Sequence, residues 1–174
     1  MIFQGSLGRR RGLEQLLEAA RTGEFSLIIQ GSGEIAEHLR AHKHSHVSLL
    51  APCPNEDVTA WLAQHDFSFV FYEYDCLNSA HACSSKFYAS VFAGTPVICN
   101  RLPAFEEFAA EYGGCVFLDS LAVEDIRGTI RSAWYPSRRY EVLRAEIRSA
   151  RASLERTPRA QRLEAAFASL NHER

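Results

Sequence analysis

Apolar residues along the chain alternate between every-other-position runs, the mark of a strand, and i, i+3, i+4, i+7 runs, the mark of an amphipathic helix. Met1-Ile2-Phe3-Gln4-Gly5 reads as a strand, and Leu13, Leu16, Leu17 and Ala20 as the buried face of a helix. Ser26 to Gly31 predicts a buried strand, with Ile35 and Leu39 marking the helix after it. His46 to Ala51 is a third strand. Asn55 is the expected N-cap of a helix burying Val58, Trp61 and Leu62, with Glu56 and Asp57 complementing its dipole. Phe67-Ser68-Phe69-Val70-Phe71-Tyr72 is the clearest strand, and a polar, turn-rich stretch from Glu73 to Cys83 follows it. Ser84 and Ser85 predict the cap of a helix reaching about Ala93, closed by Gly94 and Pro96. Pro96 to Asn100 is a fifth strand. Phe105, Phe108, Ala109 and Tyr112 share one face of the next helix, which Gly113-Gly114 ends. Cys115 to Leu118 is a sixth strand, and Ser120 is the expected cap of a helix lined by Ile126, Ile130 and Trp134. From Pro136 onward only helical spacing remains, through Leu143, Ile147, Ala150 and Leu154, then Leu163, Phe167 and Leu170.

Six short strands alternating with helices predict a parallel sheet covered on both faces. The expected fold class is α/β, a Rossmann-like three-layer α/β/α arrangement over residues 1–135, with C-terminal helices over 136–174 packing on or beside it. No internal repeat or low-complexity linker interrupts it. The sheet begins at the first residue and no second sheet follows, so the chain reads as half of a two-domain enzyme whose crevice another domain closes.

Composition narrows the functional classes. The 174 residues suit one domain, and 47% hydrophobic content is enough for a real core. With 19 basic and 21 acidic residues the formal charge is -2, which argues against a dedicated nucleic-acid binder. No apolar run approaches the ~20 residues that cross a bilayer, and no signal peptide is visible, so a cytoplasmic protein is expected. The cysteines, Cys53, Cys76, Cys83, Cys99 and Cys115, are odd in number and form no C-x-x-C pair, as suits buried thiols in a reducing compartment.

In such a sheet the loops after each strand share one edge, and three of them have anion-binding character. The first carries Arg9-Arg10-Arg11 among Gly5, Gly8 and Gly12; glycines let backbone approach a ligand, and a guanidinium fork matches two phosphate oxygens. The second, Gly31-Ser32-Gly33, is a strand-to-helix turn that needs no ligand to explain it. The third is Ser84-Ser85-Lys86 at a helix N-terminus, where unpaired amides and the helix dipole favour a phosphate. Arginine supplies 17 of the 19 basic residues, so Lys86 is one of only two lysines, and a compact ammonium there suits a phosphate contact. Three such loops on one edge point to a diphosphate ligand.

The segment Ser85-Lys86-Phe87-Tyr88-Ala89-Ser90-Val91-Phe92-Ala93-Gly94-Thr95-Pro96-Val97 resembles the S-x-K-x-x-E-Y-x-A-x-G-x-P-V signature of nucleotide-sugar glycosyltransferases of the two-Rossmann GT-B fold, family 4 (group 1) in particular. Phe3-Gln4-Gly5-Ser6-Leu7 with Arg11-Gly12-Leu13 is similar to the start of that family's C-terminal domain, and Ile28-Ile29-Gln30-Gly31-Ser32-Gly33 to its i-v-G-x-G turn. The likeness spans roughly residues 2 to 130. It implies a donor-binding half, lacking the N-terminal acceptor-binding half, in which Arg9, Arg10, Arg11, Ser84, Ser85 and Lys86 hold the donor diphosphate. Backbone amides around Cys83, Ser84 and Ser85 would share in this. Gly5, Ser6, Gly31, Gly33, Ala51 and Pro52 would lie near the base or phosphate, and no metal or other cofactor is expected.

The family usually carries two glutamates eight positions apart, one for the donor sugar and one for the ribose. Here those positions are His81 and Ala89. His81 could donate to a sugar hydroxyl or phosphate. Ala89 cannot accept a hydrogen bond, so the ribose contact is missing or comes from elsewhere. Ser6 stands where the family has an arginine, which Arg9 or Arg10 could replace.

Other patterns read more plainly. His38 and His42, with His44 and His46 beyond, have spacing for zinc but no accompanying carboxylate or thiol, and read as a polar helix end. Glu73-Tyr74-Asp75 reads as a turn. Eight arginines between Arg138 and Arg162 make a basic helical region that could face anionic lipid at the inner side of a membrane, or simply water.

The function expected is the donor half of a hexosyltransferase that moves a sugar, with retention, from a nucleoside diphosphate such as UDP. The acceptor would be a saccharide or lipid-linked glycan, as in polysaccharide biosynthesis, and this chain alone would be inactive. The alternatives are a silent interaction domain on the same fold and half of an epimerase-like enzyme.

Overall fold

The structure, a computed structural model, describes residues 1–73 and 84–156. Six strands, β1 (Ile2–Gln4), β2 (Leu27–Gln30), β3 (Val47–Leu50), β4 (Ser68–Val70), β5 (Val97–Asn100) and β6 (Cys115–Leu118), form one sheet in the order β3-β2-β1-β4-β5-β6. Every neighbouring pair is parallel. The connecting helices are α1 (Leu13–Ala19), α2 (Ala36–His42), α3 (Val58–Leu62), α4 (Ser85–Ala93), α5 (Pro103–Tyr112) and α6 (Val123–Trp134), with α7 (Ser137–Glu155) last among the described residues. This is the Rossmann-like α/β/α layering expected from the alternating pattern. The strand order reverses between β1 and β4, and crevices at the carboxyl ends of strands flanking such a switch point are where open α/β sheets bind ligands.

Strands covered on both faces should be apolar throughout rather than alternating, and the central strands are. One face of the sheet, through Phe3, Leu27, Ile29, Phe69 and Ile98, packs on Leu13, Leu16 and Leu17 of α1 and on Ile126 and Ile130 of α6. On the other face Val70, Val97 and Cys99 meet Phe87 and Val91 of α4 and Phe105 and Phe108 of α5. Ile2 meets Val58 and Leu62 of α3. Helix α7 buries Tyr140, Leu143, Ile147 and Ala150 and rests on α4, α5 and α6. The Gly114 amide donates to Glu146 Oε2 at 2.8 Å, pinning α7 to the start of β6. Cys99 lies in this core, where a hydrogen bond with the Cys115 thiol and burial hold its own thiol well above the usual range.

Three local expectations change. Asn55 does not cap a helix: Asn55–Asp57 is a 3-10 turn that follows Pro54 and leads into α3, with no side-chain cap. Ser120 acts one turn upstream of α6, accepting from the Ala122 amide at 3.0 Å and bonding Asp125, while Ala122 occupies the cap position. Trp134 is 36% exposed instead of lining the core. The hydrophobic pattern marked α6 correctly, and Trp134 at its end packs against Phe67 and Tyr140 at the rim of the core.

Glu24, in the turn before β2, bonds both Arg127 and Arg131 of α6. The two arginines hold its carboxyl below the usual carboxylate range. A depressed folded value adds stability above the unfolded value, which is lost as pH falls through the folded one. Glu24→Gln is therefore expected to lower the melting temperature slightly at neutral pH and to flatten its acid-side decline, as read by thermal melts across pH.

Candidate functional site

The polar chemistry gathers where β1 and β4 leave the sheet. Ser84 is buried at the N-terminus of α4 and accepts from the Phe87 amide at 3.2 Å, so its hydroxyl caps the helix, as Ser at this position is suited to do. The Tyr72 hydroxyl, 2.9 Å from the same oxygen, braces it. Tyr72 is in turn clamped by Asn100 at the end of β5: its amide donates to Asn100 Oδ1 at 3.1 Å, and Asn100 Nδ2 donates to its carbonyl at 2.8 Å. These bonds fix the aromatic ring beside the helix terminus.

Two cations converge on that ring from different loops. The Arg11 guanidinium lies 4.0 Å from its centroid and the Lys86 ammonium 5.8 Å. Both distances are within the range of cation–π attraction. Arg11 ends a 3-10 turn, Arg9–Arg11, and Gly12 follows in the left-handed conformation, φ 65°, before α1 begins. The turn fans the arginine run apart. Arg9 pairs with Glu34 at 2.9 Å and Arg10 with Glu73 at 3.6 Å. Neither Arg11 nor Lys86 has an ion-pair partner among the described residues. Lys86 reaches back over Gly5: a Cβ there would stand 2.0 Å from Lys86 Cε and displace the lysine tail, and the Gly5 φ of 131° itself favours glycine. A hollow of about 370 Å³ opens beside Arg11, lined by Ser6, Gly8, the three arginines, Tyr72 and the carboxylates Glu34 and Glu73.

The second glycine turn has a simpler role. A Cβ on Gly31 would fall 1.8 Å from the Gly5 carbonyl oxygen, and one on Gly33 2.5 Å from that of Leu7. The two loops are laced by Leu7 N to Ser32 O at 2.9 Å and Ile35 N to Leu7 O at 3.2 Å. Gly31 and Gly33 thus support the first loop from beneath. Ala51 and Pro52 are exposed at the end of β3, two strands or roughly 10 Å from β1. Ser85 is exposed on the first turn of α4. His81, Cys83 and Asp75 lie outside the described residues. Ala89 packs against Ile2, Val58 and Leu62, so the helix face where the resemblance has a glutamate is apolar here.

Sequence reading missed Tyr72 and Asn100. Both stand at the ends of apolar strands and read as strand residues; only their tertiary pairing shows that one presents a ring and the other holds it. Among the described residues no three histidines, cysteines or carboxylates converge as a metal site, and no helix is long and apolar enough to cross a membrane. A second hollow of about 630 Å³ lies at the opposite edge, lined by Met1, Phe25, Phe67, Trp134 and Tyr135 with Arg127 and Arg131. It is larger and more apolar, but it sits at the amino ends of the strands.

Arg11 and Lys86, neither ion-paired among the described residues, stand beside the first turn of a nine-residue helix, a setting that favours an anion. The Tyr72 ring holds both cations there. Tyr72→Phe is expected to cost about 1 kcal/mol in urea denaturation through the lost hydroxyl bond, with little effect on anion affinity. Tyr72→Leu is expected to lower pyrophosphate affinity several-fold in calorimetry, because Arg11 then loses the surface that orders it.

Solved structures share this fold. The catalytic domain of a cholesterol-α-glucosyltransferase from Helicobacter pylori matches with a TM-score of 0.68 at 13% identity, over 90% of this chain and 98% of that one. HepE from Anabaena, solved with UDP and glucose, matches with 0.69 at 12% identity, over 98% of this chain and 48% of that one. The C-terminal domain of LpcC, a group 1 family glycosyl transferase from Francisella tularensis, matches with 0.63 at 10% identity, over 87% and 83%. The chain thus spans about half the length of HepE. No protein-family model matches the sequence, and no curated protein does. The chain shares its Rossmann-like fold with these glycosyltransferase structures, as the resemblance implied.

Proposed function

We propose that this chain is the donor-binding domain of a glycosyltransferase that takes its sugar from a nucleoside diphosphate. The observation that carries this reading is the convergence of Arg11 and Lys86 on Tyr72, at the switch point and beside the first turn of α4. The diphosphate would lie across the two cations, with the amides of Ser85 and Lys86 donating to it from the helix terminus. Arg9 and Arg10 would line the approach. In transfer, negative charge grows on the departing diphosphate, and fixed cations with a helix dipole stabilise it without reorganising. That arrangement needs no metal ion. Transfer with retention to a saccharide or lipid-linked acceptor, held by a further domain closing on the crevice, completes the proposal.

A cytoplasmic setting is part of the same reading. Contact with a membrane would be electrostatic, since the apolar side of α7 is spent on α4, α5 and α6, while Arg138, Arg139, Arg148 and Arg151 stay exposed. A silent interaction domain is the second reading, favoured by the apolar setting of Ala89.

Calorimetric titration with UDP, GDP and ADP in the presence of EDTA separates the two. Saturable binding of at least one nucleotide supports the donor domain; no binding of any supports the silent one.

A further inference from the structure

The hollow at the amino ends of the strands has no part in donor binding. Its volume of about 630 Å³ falls within the roughly 300–1,000 Å³ of ordinary ligand pockets. One side of it is aromatic. Trp134 ends α6 at 36% exposure, and Tyr135 follows it at 67%. Trp134 is held in place by Tyr140, with 4.8 Å between ring centroids, and by Phe67 at 6.0 Å. Tryptophan is highly buried on average, so an exposed tryptophan beside an exposed tyrosine in one hollow marks a contact surface.

The polar groups beside these rings are bonded to one another. Glu24 accepts from Arg127 and, at 2.7 Å, from Arg131. The Tyr140 hydroxyl donates to Asp66 Oδ1 at 3.2 Å, which fixes that exposed carboxylate. The Met1 amino group donates to the Ser26 carbonyl at 2.9 Å, and burial pulls its pKa down, towards the uncharged form. Among the side chains lining the hollow, two carboxylates therefore stand against two guanidiniums. Such a balance gives neither an anion nor a cation a strong net attraction. What it offers is donors and acceptors side by side: the Arg131 side chain, 59% exposed, next to the carboxylate oxygens of Glu24, 32% exposed. A hydroxyl both donates and accepts, so a ring edged with hydroxyls satisfies both kinds of group at once.

We propose that this hollow binds a neutral saccharide, with the C–H face of a pyranose ring lying on Tyr135 and Trp134 and its hydroxyls bonding Arg131, Glu24 and Asp66. A pyranose ring is apolar on its flat and polar at its rim, and the hollow has the same division. Tyrosine and tryptophan give broad, rigid contact area at little cost in side-chain entropy. Their position at the end of α6, braced by Tyr140, keeps that area in place without a ligand. The site goes beyond the donor reading and does not depend on it. It uses none of Arg11, Lys86 or Tyr72, and the length of the strands separates it from them.

The test follows the amide and indole NMR signals of the intact chain during titration with maltohexaose, cellohexaose and chitohexaose. The chain has two tryptophans, so the Trp61 indole serves as an internal reference for that of Trp134. At least one of the three sugars is expected to give saturable shifts at the Trp134 indole, Phe25, Ser26 and Tyr135, with a Kd on the order of 1 mM or tighter. Gly5 to Gly12 and the Trp61 indole should stay in place. Tyr135→Ala and Arg131→Ala are each expected to weaken that affinity about fivefold or more, and Glu107→Ala to leave it within about twofold. Tyr135→Ala removes an exposed ring and should melt near wild type. Should Arg131→Ala lose stability with its Glu24 bond, Tyr135→Ala decides. No shifts with any of the three, shifts confined to other surfaces, or an affinity that both variants leave unchanged would overturn the proposal. Co-sedimentation with phosphatidylglycerol vesicles in place of saccharide binding would assign the surface to lipid. Trp134 shifts that follow protein concentration alone would assign it to a second copy of the chain, and either result overturns the proposal too. Nucleotide titration of the same samples reads the donor site separately, so failure of one reading leaves the other standing.

Discussion

Arg11→Ala is expected to reduce affinity for both pyrophosphate and the preferred nucleotide by tenfold or more. Hydrogen bonds to charged groups contribute about 1.5–3 kcal/mol, and each 1.4 kcal/mol is about tenfold in affinity. Arg11 is partly buried and held by the Tyr72 ring, so it would deliver much of that figure. Arg11→Lys should restore only part, because an ammonium cannot grip two oxygens as the guanidinium fork does. Lys86→Ala should act in the same direction. Both charges flank one ring, closer than or near a Debye length, about 10 Å at 0.1 M salt, so they would act on one ligand as a unit. The double variant should then deviate from additivity by about 0.5 kcal/mol or more. Free-protein stability should shift little, since neither side chain has an ion-pair partner to lose among the described residues. Calorimetry on the four proteins at two salt concentrations measures each of these effects.

The largest effect on stability is expected at Phe87. It is buried, stacks on Phe105 at a centroid distance of 4.6 Å and meets Phe108 edge-on at 4.9 Å. It is also the residue after Lys86, so it nails the first turn of α4 to α5. Phe87→Ala should cost about 3–5 kcal/mol, a large share of the roughly 5–15 kcal/mol that holds a domain folded. In urea the midpoint should fall with an unchanged slope. Glu107→Ala, exposed on the outer side of α5, should stay within about 0.5 kcal/mol and serves as the control. Because the helix terminus is set by this contact, any folded Phe87→Ala protein should also bind pyrophosphate more weakly.

The fold was largely legible because each strand and helix announces itself locally. Phe67 to Tyr72 is a short, nearly all-apolar aromatic run that announces β4, and Ser84 with Gly94 brackets α4 at both ends. Cap positions were less legible. Asn55 and Ser120 are the right residue types a turn too early, because Pro54 and the Ser120–Asp125 bond reshape the entry to each helix. The loops bearing Arg11 and Lys86 could be named from glycine and charge content, and the topology brings those two together. What sequence could not show is that the cations meet on Tyr72, or that Asn100 holds that ring from a neighbouring strand, since both facts depend on contacts between different loops and strands.

The most direct measurement is an amide NMR titration of the intact chain with the best-binding nucleotide. The account predicts saturable shifts in Gly5 to Gly12 and in Ser85, Lys86 and Phe87. Shifts confined to the opposite edge, around Phe25, Trp134 and Tyr135, would contradict it, as would a spectrum that the nucleotide leaves unchanged.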